Sequence, residues 1–297
     1  MGEESGGAGE RRFVSPYLWM VCGSFAFAVM GTLAHALRTD CDWRIIALAR
    51  SGVALAGAAL LAGGAGVRLV LWRPRILWMR SLAGSCSLVG TFYALTRLPV
   101  SDVLTLTQMF PVWVALLSWP LLGERPSGGV WIAILSGAVG VTLIQQPHFA
   151  AGNFASVVAL ASSLSTAVAM LGLHRLHGID HRAVVVHFSA VSLLFCVAAF
   201  LFGPGEVPLA LPESGSLMLL LGVGAAATVG QLFLTRAFAA GPPARVSVVG
   251  LTQVIFALII DVCVLRQDVD GRKLLGVALV GAPAAWLLAS RPGGDIS

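Results

Sequence analysis

Long apolar runs alternate with short polar seams along this chain. A helix needs about 20 apolar residues to cross about 30 Å of hydrocarbon. Ten runs qualify, roughly 17–37, 45–64, 81–97, 102–122, 129–146, 154–173, 183–203, 214–236, 243–264 and 272–290. The seams carry turn and charge signals, among them Trp72-Arg73-Pro74-Arg75, Gly123-Glu124-Arg125-Pro126 and Gly241-Pro242-Pro243. Apolar and polar residues do not alternate at every second position within the runs, which argues against a β-barrel. The pattern predicts an all-α integral membrane protein with ten transmembrane helices. Tyr17 to Leu37 is about 21 residues, longer than the 7–15 of a signal peptide, and reads as an uncleaved first membrane helix.

Composition agrees with lipid as the solvent. Of 297 residues, 57% are hydrophobic and 11% charged, with a mean hydropathy of +0.88. A soluble domain has about 25% charge. The net charge of +5 would fit nucleic acid in a soluble protein, but here the basic residues are spread between apolar runs. They mark orientation instead, and no nucleic-acid partner is expected. With the N-terminus in the cytoplasm, twelve cations fall inside and six outside. The loop before the third span contributes Arg68, Arg73, Arg75 and Arg80 to the inner set. Both termini are therefore expected in the cytoplasm, on a multi-pass protein of the inner membrane. The five cysteines form no CxxC pair and have no metal-ligand spacing to a histidine. No catalytic residue, metal or cofactor is expected.

A weak internal repeat follows. Ala94 and Pro99 lie five apart between two spans, as do Ala237 and Pro242. Carried forward without gaps, that register sets Gln267 opposite Glu124. Each half holds five spans, an odd number, so the second half enters the membrane from the opposite side. The expected organisation is a cytoplasmic tail at 1–16, a repeat at 17–146, a second at 154–290 and a cytoplasmic tail at 291–297.

Residues 80–146 include Phe92-Tyr93-Ala94-Leu95, Pro99, Phe110-Pro111, Leu122-Gly123-Glu124 and the glycines Gly137 and Gly140. This resembles the EamA-type domain of the drug/metabolite transporter superfamily, and Arg50 matches an arginine often seen in that family's second span. The second half departs from the pattern. Val254 stands at the position of Pro111, and Arg266-Gln267 replaces Gly-Glu. Within the superfamily the chain looks most like the branch with riboflavin, S-adenosylmethionine and organic-anion carriers. The resemblance implies two inverted five-helix repeats, a central cavity and transport of a small polar metabolite, of amino-acid, nucleoside, vitamin or organic-anion type. Alternating access would be the mechanism. A monomer and a homodimer are both compatible with it.

Polar residues inside spans are costly in lipid, so they face a cavity or another helix. In the ninth span Ser247, Gly250, Gln253, Ala257 and Asp261 share one helical face. Gln253 there can bind substrate or bond to a neighbouring helix. Ser101, Thr105 and Gln108 share a face of the fourth span, where Thr105 can bind substrate or bond back to its own helix and Gln108 is the better ligand candidate. Pro111 should kink that span. Tyr93 and Trp113, with Phe92, can form an aromatic wall or pack in the core. Gln231 in the eighth span is a further ligand candidate. Arg50 can snorkel, pair with an aspartate or hold an anionic substrate. His35 and Asp261 are the candidates for carrying a coupled proton. A rival reading is a membrane-embedded lipid-modifying enzyme using His174, His177, Asp180, His181 and Arg182. That group lacks HExxH spacing and an acid pair, and a solvated loop explains it. A non-transporting sensor or scaffold is the third reading.

Overall fold

A computed structural model describes residues 15–37, 40–95, 97–148, 154–176, 178–202, 214–266 and 268–290. The expected terminal tails, His177 and the pairing of Gln267 with Glu124 lie wholly or largely outside these residues. Twelve helical segments are described: α1 (Pro16–Ala36), α2 (Trp43–Gly64), α3 (Arg75–Leu95), α4 (Val100–Thr107), α5 (Phe110–Leu122), α6 (Gly128–Gln145), α7 (Phe154–His174), α8 (His181–Phe202), α9 (Ser214–Ala240), α10 (Pro243–Gly250), α11 (Thr252–Leu265) and α12 (Gly271–Ala289). α4 and α5 make one crossing, as do α10 and α11, so twelve segments give ten crossings in two five-crossing repeats.

Local chemistry sets the helix ends. Ser15 caps α1 through the Tyr17 amide, and Pro16 suits the first turn. Asp42 caps α2, accepting from the Arg44 amide and pairing with its guanidinium at 2.9 Å. α5 stops at Gly123, whose φ of 77° favours glycine. Among the described residues, nine helical stretches are long and apolar enough to cross a membrane. α3, also 21 residues, carries Arg75, Arg80, Ser81, Ser85 and Ser87, which lower its hydropathy. The outward faces are apolar, with Leu60, Ile132, Met218 and Phe202 well exposed, as expected of surface against lipid.

The repeats are visible in the chain positions. α4 and α10 begin at 100 and 243, and α6 and α12 at 128 and 271, a spacing of 143 in each case. α1 and α7 begin at 16 and 154, and α2 and α8 at 43 and 181, a spacing of 138. Most of the five-residue difference lies in α9, which has 27 residues where α3 has 21. Packing obeys the same exchange. α1 lies on α9 while α3 lies on α7; α2 lies on α9 while α8 lies on α3; α1 lies on α11 while α7 lies on α5. Two pairs map onto themselves, α2 with α8 and α6 with α12. An approximate two-fold axis therefore runs through both of these crossings.

Three expectations need correction. The third span begins at Arg75, six residues before the expected start, so Arg80 is not a loop cation. It is 1% exposed, and its hydrogen bond to Gln231 keeps it out of any count of cytoplasmic charge. The fourth span is interrupted rather than bent, with Pro111 at the start of α5. The ninth span is not one continuous face, because it breaks at Leu251 between α10 and α11.

Candidate functional site

The two breaks stand at equivalent places. In the 143-residue register Gln108, the cap between α4 and α5, corresponds to Leu251. The second break has no proline at the position of Pro111. Side-chain hydroxyls accompany both instead: Thr107 donates to Val103 O at 2.8 Å, and Thr252 to Val249 O at 2.7 Å. Such back-bonding loosens the helical ladder. The junctions also meet, since a Cβ at Gly250 would stand 3.4 Å from the Phe110 ring. Ser24 of α1 donates to the Gly250 carbonyl at 3.2 Å, satisfying an acceptor that the break releases. Gln108 is buried at this junction, and Gln253 is half-buried two residues past Leu251.

A small cavity of about 10 Å³ lies at the α2–α8 crossing. Its lining falls into repeat-equivalent pairs at the 138-residue spacing: Arg50 with Phe188, Ser51 with Ser189, and Ala54 with Ser192. That places it on the two-fold axis. Gln231 of α9 closes one side. Its Oε1 accepts from Arg80 Nη2 at 3.0 Å. The Arg80 guanidinium lies over Phe188, 3.8 Å from the ring centroid. Polar contacts continue along α3 and α8, where Ser81 Oγ meets His187 Nδ1 at 2.8 Å and Ser85 Oγ meets Ser192 Oγ at 2.9 Å.

Two of the sequence candidates therefore share one space, Arg50 and Gln231. No aspartate among the described residues is paired with Arg50. Arg50 lines the cavity and donates from Nε to Met30 Sδ at 3.2 Å. His35 and Asp261 are also brought together, within electrostatic reach across the packed α1 and α11. The others are dispersed. Thr105 donates to Ser101 O at 2.8 Å. Trp113 Nε1 donates to Ser163 Oγ of α7 at 3.0 Å. Tyr93 lies under the Arg97 guanidinium, whereas Phe92 stacks on Trp43. The three aromatics thus enter three separate contacts. In the rival cluster, His174 reaches Glu124 at 3.4 Å while His181 accepts from Arg236 Nε at 2.9 Å, so the two histidines join different partners.

Arg80 was the residue that sequence reasoning missed as a site candidate. Its signals were small residues that clear its path. A Cβ at Gly84 would stand 2.9 Å from Arg80 Nη1, and one at Gly172 would stand 3.1 Å from Arg80 Cβ.

Apolar helices in two exchanged repeats, broken at matching points around a polar interior, define a multi-pass membrane transporter rather than an enzyme. The chain belongs to the EamA-like transporter family, whose sequence model matches residues 14–145 and 153–289. It is similar to the pseudopaline exporter CntI of Pseudomonas aeruginosa, 32% identical over 226 residues that cover 75% of this chain and 78% of that protein. A riboflavin transporter of Rhizobium johnstonii is 25% identical over 79% of this chain and 78% of its own. A crystal structure that is 18% identical superposes with a TM-score of 0.81 over 93% of this chain and 99% of its own, which shows the shared fold.

Proposed function

We propose that the protein carries a small polar metabolite across the inner membrane by alternating access. The two repeats, 17–146 and 154–290, would rock about a central site, with both termini in the cytoplasm. The observation that carries this reading is the pair of broken helices at equivalent positions, whose junctions meet at Phe110 and Gly250. Discontinuous helices in corresponding halves are where carriers of this plan hold substrate. Gln108 sits at the first junction and Gln253 two residues past the second, while Gln231 lines the α2–α8 cavity; Tyr93, Thr105 and Trp113 complete the proposed substrate-binding set. Relatives named for pseudopaline and riboflavin fit a small polar cargo.

The test is flux into proteoliposomes from a metabolite panel. Saturable uptake, with countertransport and at least a tenfold loss in Gln108→Ala or Gln253→Ala, is expected. Absence of flux for every compound in correctly folded protein would overturn the reading. Proton coupling rests on His35 facing Asp261. A pH dependence of flux unchanged in the His35→Ala, Asp261→Asn double variant would remove it.

A further inference from the structure

A guanidinium offers five N–H donors. Arg80, 1% exposed, places Nη2 on Gln231, while Nε and Nη1 have no hydrogen-bond partner among the described residues. Arg50 lies within electrostatic reach of it and gives Nε to a thioether, a weak acceptor. No carboxylate among the described residues is ion-paired with either arginine. The ion pairs that are described join Asp42, Glu124 and Asp180 to other cations. Buried charges are ordinarily paired, and like charges in a medium of low polarity repel strongly. Arg50 lines the cavity and Arg80 is held against Gln231 and Phe188, two of its other lining residues, an arrangement of cations that an anion relieves.

The neighbouring groups narrow the class of anion. Ser51 and Ser189 line the cavity from the two repeats, each with a hydroxyl able to donate. The guanidinium fork matches the two oxygens of a carboxylate. A volume of about 10 Å³ admits roughly one water-sized group, so a compact planar anion enters as the helices part. We propose that Arg80 and Arg50 hold a carboxylate group of the transported metabolite at the repeat axis, with Ser51 and Ser189 donating to its oxygens. The proposal rests on the carrier reading above and narrows its cargo to carboxylate-bearing metabolites. Both cationic arms come from the first repeat. The second repeat contributes Phe188 and Gln231, which position Arg80.

The experiment is thermal unfolding of the purified full chain in detergent, titrated with sodium glutarate and sodium benzoate. Glutaramide and benzamide serve as neutral matches, with ionic strength held constant by sodium chloride. A saturable rise in the midpoint with at least one acid and not with its amide is expected. Arg50→Gln should weaken the apparent affinity tenfold or more, and Ser189→Ala a few-fold. Arg80→Gln should match Arg50→Gln, and if that variant does not fold, the other two still decide. Equal responses to acid and amide, an equal response to sodium chloride alone, a flat response to both acids, or unchanged affinity in Arg50→Gln would overturn the proposal. Flux of a neutral metabolite that carboxylates do not inhibit would sink the anion site and leave the carrier standing. Carboxylate binding lost in Arg50→Gln, with no flux of any compound, would do the reverse.

Discussion

The α2–α8 and α6–α12 crossings hold the same rank in the fold, since each pairs a helix with its own repeat equivalent, yet they are made of different material. At α6–α12 the backbones touch. A Cβ on Gly276 would stand 2.6 Å from Gly140 O, and one on Gly140 would stand 2.8 Å from Gly276 O. Ser136 donates to Leu279 O at 2.9 Å, and these two residues are equivalent at the 143-residue spacing. Val141, Ile144 and Val280 fill the remainder. At α2–α8 Ala58 and Ala62 pack on Val185 and Val186 at one end, while serines, a cysteine, an arginine and a phenylalanine make the rest of the contact, where a cavity remains. Symmetry places both crossings on the axis but does not decide which one is polar. Side-chain size does: small residues let helices close on each other, and larger polar ones hold them apart around a space.

The strongest test of that contrast is Gly276→Leu. Its Cβ meets a backbone oxygen that cannot swing aside, so a stability loss of about 3 kcal/mol or more is expected on thermal unfolding in detergent. Gly31→Ala, with no heavy atom within 4 Å of the added carbon, should lose nothing. A comparable loss at Gly31 would erase the distinction. The polar crossing should behave as a matter of pairing. Arg80→Met strands the Gln231 carbonyl and should cost about 1–3 kcal/mol, which Gln231→Leu then restores, because removing both partners is nearly neutral. Additive losses in the double variant would mean that the pair does not act as a unit.

A smaller effect is expected where the second broken crossing is held. Ser24→Ala removes the donor to Gly250 O and should lower stability by about 1 kcal/mol. No change would show that the junction satisfies itself. The smallest effect lies at the rim of α6–α12, where Asp270 caps α12. The Lys273 amide, followed by the Gln146 side chain, holds its carboxyl below the ordinary value of 3.8. A depressed folded value means stability that is present above 3.8 and lost as pH falls through the folded value. The difference in unfolding midpoint between wild type and Asp270→Asn should shrink as pH falls from about 5 to 3. A difference that stays constant over that range would break the assignment.

Much of the fold could be read from hydropathy alone, because a membrane span has to be apolar along its full length whatever it packs against. The first, fifth and sixth spans were expected within a residue of their observed ends. The third was not. Arg75 and Arg80 look like loop charges when counted singly, and hydropathy does not record that Gly84 and Gly172 leave room for a guanidinium. The repeat register from Ala94 and Ala237 was sound, and it already set Leu251 opposite Gln108. The second break is hidden in the sequence because Val254, not proline, stands there, whereas Thr107 and Thr252 bond back to their helices at both breaks. Arg50 and Gln231 could be named from their depth in apolar runs. That they share a cavity depends on α2, α8 and α9 converging, which no local pattern encodes.

The pair of arginines near the repeat axis has an electrical consequence. An energised membrane drops its voltage across the low-polarity interior where these charges sit. Carrying one elementary charge through 100 mV is worth about 2.3 kcal/mol, and a partial displacement is worth the corresponding fraction. Any rearrangement that shifts α2 and α3 along the membrane normal therefore does work against the field. An anion seated on the arginines would reduce that work by cancelling part of the moving charge. On the carrier reading, the membrane potential would enter the balance between the protein's conformations, with a weight that differs between loaded and empty forms.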